Sequence, residues 1–227
     1  MKKQVIPTSG GRSRSIYENA VRRFGNSKGP VTPAYLRLES AALGTQSSVA
    51  FNLLKNEGGT PNQTEKRLAI TDNFLATSIG FYLLKVTTAG TNYGDVLNSW
   101  PNSIEYSASN EATNLLNLYN GALQITINGE VELDSWDLMR HYRVPTAQKS
   151  VLTAASGTNN AYVESGWDTA DYGMYPLTPQ ILLRGSSKNI IQINCPASAA
   201  MAGSSSTNYA VIVFRGFLMQ NASNVVG

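Results

Sequence analysis

The chain of 227 residues has one cysteine, one histidine and few charges of either sign. A lone Cys195 excludes an intrachain disulfide. With His141 the only histidine, zinc sites and two-histidine mechanisms lack their ligands. A Ser-His-Asp triad would have to use His141, and no G-x-S-x-G turn occurs to present a nucleophile. Between Arg140 and Tyr142, His141 reads as a packing or interface residue. Cys195 ends the apolar run NIIQINCP, with no helix N-terminus or cation nearby to lower its pKa, and reads as core. No G-x-x-x-x-G-K-[ST] loop is present for phosphates. Glu130, Glu132 and Asp134 fall two apart, so a strand shows all three on one face. Such carboxylates can serve glycoside hydrolysis or hold calcium, but the wet face of a hairpin is the preferred account of them. No enzyme, metal or cofactor is expected. No stretch approaches the roughly 20 apolar residues that span a bilayer. MKKQVIPTSGG has no apolar leader core, so a soluble protein made inside a cell is expected.

Charged residues make up 15%, against the usual quarter or so. Asn, Ser and Thr fill the gap with 21, 23 and 18 residues. They hydrogen-bond without charge, which suits ordered loops and surfaces that pack against copies of themselves, because interface cores are depleted in charge. Secreted β-domains with polar loops share that composition. The net charge of +3 is unevenly placed. Residues 1–40 hold eight cations and two carboxylates, a net +6, and the remainder carries −3. Such asymmetry marks an arm that touches something anionic.

Residues 1–33 read as that arm, and 34–227 as a β body. Within the arm, SRSIYENAVRRFG predicts a short helix. Ser15 and Glu18 have capping-box spacing, and Gly25 supplies the left-handed stop. Ile16, Ala20, Val21 and Phe24 are assigned to its apolar face. A helix this short is marginal alone, so that face is expected to dock on the β body or on a neighbouring subunit. Lys2, Lys3, Arg12, Arg14, Arg22, Arg23 and Lys28 suit phosphate neutralisation without sequence preference.

In the body, YLRLE, SVAFNLL and RLAIT predict strands, SIGFYLLKVT a central one, and YAVIVFRGFLM a strand buried on both faces. Residues 90–110 show no period. ALQITINGEVELD predicts a hairpin. A two-residue Asn128-Gly129 loop sets Ile127 beside Glu130, so a three-residue loop pairing Ile125 with Val131 is preferred. Ser135 caps a helical turn over SWDLMRHY, and QILLR and NIIQINC form a second hairpin around GSSK. Residues 145–179 are long for a plain loop. The whole suggests an all-β jelly-roll sandwich.

A basic arm with one helix, followed by a charge-poor, Asn/Ser/Thr-rich β body ending in YAVIVFRGFLM, resembles the single jelly-roll capsid proteins of small tailless viruses, bacteriophages among them. The resemblance implies a major capsid protein made in the host cytoplasm and residing in the virion. Many copies would close into an icosahedral shell, with the arm touching the genome non-specifically and minor virion proteins as further partners. It also implies that the 90–110 and 145–179 loops form interfaces or the outer face. Two alternatives stay open. One is a phage head-decoration or fibre-attachment protein. The other is a carbohydrate-binding sandwich using Trp100, Trp136, Trp167, Tyr172 and Tyr175.

Overall fold

NFLATSIGFYLLKV, apolar without strict alternation, forms the long strand β3 (Asn73–Val86) in the middle of an antiparallel sheet. The computed structural model describes residues 11–24, 29–86, 96–98, 101, 106, 109–142, 149–152, 160–163, 173–201 and 207–222. One edge of β3 pairs with β11 (Thr207–Met219), which pairs in turn with β1 (Val31–Glu39). The other edge takes β9 (Met174–Arg184) along its first half and β4 (Val96–Asn98) near its end. The second sheet runs β2 (Ser48–Phe51), β10 (Asn189–Asn194), β5 (Ala122–Ile127), β6 (Glu130–Asp137). Side chains from both sheets, among them Leu38, Phe81 and Ile212 against Phe51, Ile125 and Ile193, form one core. The protein is an all-β sandwich.

The pairing is nested. β1 pairs with β11, β2 with β10, β3 with β9, and β5 with β6. These are the rungs of one long hairpin whose tip is Asn128-Gly129. Successive rungs alternate between the two sheets, so that hairpin wraps around the core. β7 (Lys149–Leu152) and β8 (Asn160–Val163) pair with each other in a separate two-stranded sheet.

Local expectations fail where the wrapping decides. QILLR and NIIQINC are not a hairpin: they lie in β9 and β10, and GSSK carries the chain from one sheet to the other. RLAIT makes no named strand, only bridges such as Leu54 to Leu68. At the tip the two-residue loop wins, with φ of 53° at Asn128 and 89° at Gly129, as a type I′ turn requires. Ile127 does pair with Glu130. Two irregularities on β6 then bring Ile125 opposite Leu133 and Leu123 opposite Trp136, which relieves the clash of apolar and charged neighbours. Ser135 lies within β6; Asp137 caps the 3-10 turn Leu138–His141, accepting from the Met139 amide at 2.9 Å. The body also contains a helix, α2 (Ser109–Tyr119).

The outer faces differ. Along β2 and β10 buried and exposed residues alternate, so that sheet shows water a polar face. The β3 sheet is apolar on both sides. Phe74, Ala76 and Phe81 enter the main core, while Leu75 and Met219 on the opposite face are also buried.

Candidate functional site

That second apolar face is where the N-terminal helix sits. GRSRSIYENAVRR forms α1 (Gly11–Arg23), which starts before Ser15, so Ser15 is inside the helix and not its cap. Ala20 and Phe24 are buried against Leu75 and Met219, flanked by Val31, Leu182 and Phe217. Burying the Phe24 ring alone contributes about 2–3 kcal/mol. Tyr17 meets Phe217 edge to face at 5.9 Å. Val21, assigned to the apolar face, is 41% exposed. The cause is the pitch: at about 100° per residue Val21 turns away from Ala20, while Tyr17, three residues earlier, returns to within about 60°.

The predicted cations divide into three groups. Arg22 is exposed and lines a shallow cleft of about 390 Å³ with Asn19 and the β9 segment Leu177–Gln180. Arg12, Arg14 and Arg23 belong to α1, but their side chains, and that of Ile16, lie outside the described residues. Lys2, Lys3 and Lys28 lie outside them altogether, as does Gly25. α1 thus uses its inward stripe on its own sheet and carries Arg22 on the surface.

Three polar clusters fasten connections to the sandwich. Glu39 in β1 is buried and accepts from Arg37 Nε at 2.9 Å, Asn62 Nδ2 at 3.0 Å and Thr64 Oγ1 at 2.6 Å. Beside it Arg67 grips Glu65 through two bonds of 3.2 and 2.7 Å and donates to the Glu57 carbonyl. Together they clamp the 52–68 segment onto β1. Toward the same end of the sheet, Lys85 of β3 and Asn208 of β11 hold Glu111 of α2 at 3.1 and 2.9 Å. Each carboxylate is met by several donors, which satisfies a buried charge and fixes an element in place.

The third cluster contains the only histidine. Trp136 Nε1 donates to His141 Nε2 at 3.1 Å, so Nε2 is an acceptor and Nδ1 carries the hydrogen. Nδ1 then donates to the Gly173 carbonyl at 3.2 Å. Phe81 and Tyr175 pack edge-on against the ring. Burial pushes the His141 pKa down to about 4, opposed by the Gly173 bond and reinforced by Arg140. The ring is neutral at physiological pH. Cys195 is half-buried against the core, and burial pushes its thiol up to about 11, which keeps it protonated.

Of the aromatic residues considered for sugar stacking, Trp136 and Tyr175 lie 6.5 Å apart, with the Arg140 guanidinium 4.9 Å from the Trp136 ring. Trp100, Trp167 and Tyr172 lie outside the described residues. The Glu130–Asp134 carboxylates are exposed on β6, and among the described residues no three acidic, histidine or cysteine side chains converge as metal ligands. No described helix is long and apolar enough to cross a membrane. Sequence patterning missed the Glu39 and Glu111 clusters, because their partners converge only through the fold. No protein family, curated protein or solved structure matches the chain.

Proposed function

We propose that the protein is a non-enzymatic shell subunit, the major capsid protein of a small tailless virus such as a bacteriophage. Many copies assemble side by side into an icosahedral wall around the genome. The observation that supports this reading is the nested strand order: eight strands pair as the rungs of one long hairpin, as they would in a jelly roll, an architecture used by viral shells and by lectins. Three features favour the shell. The composition is poor in charge and rich in Asn, Ser and Thr. The leading 40 residues hold a net +6. A helix from that segment is seated on the outer face of one sheet with Arg22 turned to the surface. Lys2, Lys3, Arg12, Arg14, Arg22, Arg23 and Lys28 would then meet the enclosed polyanion by counterion release, without reading its sequence.

Negative-stain imaging of the purified chain tests the reading. Closed particles or rings are expected, and a monomer at every concentration would overturn it. For the cations, substitution is cleaner than truncation, since removing α1 uncovers Leu75 and Met219. Changing the seven to glutamine should leave particles intact while lowering their nucleic-acid content. Unchanged content would refute the genome-facing role.

A further inference from the structure

Among the described residues, the two sides of the sandwich where its sheets end carry opposite charge. On one side β1 and β2 are the terminal strands of their sheets, joined by the Ser40–Phe51 bridge. There a groove of about 560 Å³ runs between β1 and the 55–72 segment. Lys55 and Lys66 are exposed along it, and Lys66 lies 4.5 Å over the ring of Tyr35, itself 47% exposed. Ile70, 54% exposed, follows the wall residue Ala69. Glu65 and Arg67 in the wall neutralise each other, and half-buried Asp72 accepts from the Asn221 amide. The two lysines dominate what a partner would meet.

On the other side β6 is the terminal strand and, among the described residues, pairs only with β5. It is exposed at Glu130, Val131, Glu132, Asp134 and Asp137. Asp134 accepts from Gln124 and Asp137 caps the following turn, whereas Glu130 and Glu132 make no ion pair among the described residues. Arg184 of β9 lines the same cleft and leaves a surplus of carboxylates. A bare edge invites a partner, but a second β6 would oppose like charges, so the edge selects a cationic surface. Val131, 52% exposed, adds an apolar anchor suited to Tyr35 and Ile70.

We propose that the acidic β6 edge of one copy docks on the Lys55–Lys66 groove of the next. The contact joins two different patches, so it is head to tail and closes into rings when the rotation allows. It names the neighbour contact of the proposed shell and rests on that reading.

Charge exchange tests it. E130K/E132K/D134K and K55E/K66E each oppose like charges, so each variant alone should associate at least about tenfold more weakly than the wild type. Mixed in equal amounts they should recover association, because each edge now meets an opposite groove. Mass photometry is the readout, with even-numbered hetero-oligomers expected since an alternating ring must hold an even count. Circular dichroism checks that the exposed substitutions leave the fold intact. If the wild type assembles and both folded variants assemble as well, or if the mixture fails to recover, the docking is wrong while the shell stands. A wild type that never assembles removes the shell itself.

Discussion

The Nδ1 of His141 lies 3.2 Å from the carbonyl oxygen of Gly173, 32 residues along the chain. Beside it the Tyr175 hydroxyl donates to the Arg140 carbonyl at 2.5 Å. The two bonds tie residues 140–141 to 173–175, so the end of the Leu138–His141 turn is held against the start of β9.

Acid should loosen that tie. Protonated Nε2 cannot accept from Trp136, and the folded state holds the ring neutral down to about pH 4, whereas an unfolded histidine titrates near 6.5. The unfolded chain therefore binds more protons between those values, and stability falls as pH drops from 6.5 to 4. The loss at pH 4 is about 3 kcal/mol. Urea melts at pH 7 and pH 4 should show the gap between wild type and His141→Phe narrowing by that order. A gap independent of pH would show that the ring does not titrate with folding.

Lys85 and Glu111 bind α2 to the sheet from 13% and 2% exposed side chains. Lys85→Met leaves the buried carboxylate short of a cation and should cost about 3 kcal/mol. Adding Glu111→Leu should return part of it. A double variant no better than the single one would place the cost in packing.

Gly216 sits at a bulge where β11 passes β3, and a Cβ there would run into the Leu75 carbonyl oxygen. Backbone cannot step aside as a side chain can. Gly216→Ala should destabilise by about 3 kcal/mol in thermal or urea unfolding. A change within about 0.5 kcal/mol, the usual range for surface sites, would mean the strands separate freely there.

Phe24 is the main anchor of α1. Phe24→Ala should undock the helix locally, and tryptic cleavage after Arg22 or Arg23 should rise about tenfold, with little change in melting of the sandwich. Unchanged cleavage would mean that Ala20 and Tyr17 hold α1 without it.

What the sequence disclosed follows from what is local. β3 and β11 were legible because a strand buried on both faces must be apolar throughout. The pairing of β9 and β10 was not, since nothing within GSSK reports that its two sides belong to different sheets. α2 escaped notice because SNEATNLLNLY is rich in asparagine, a weak helix former. Those side chains find partners far away: Asn114 donates to the Ala200 carbonyl and Asn117 to that of Ser198. At the hairpin tip the turn residues were readable and the bulges were not. Of the candidate surfaces, the basic stripe could be seen in the residues, whereas opposite charge on the two sides where the sheets end required the wrapping.

β11 lies between β1 and β3, with Val31 facing Met219 and Glu39 facing Val211. During synthesis both older strands must wait, edges bare, until residues 207–219 emerge. Such long-range closure is slow and leaves a window for misassociation. Nascent chains should therefore lean on chaperones until β11 has closed the gap between β1 and β3.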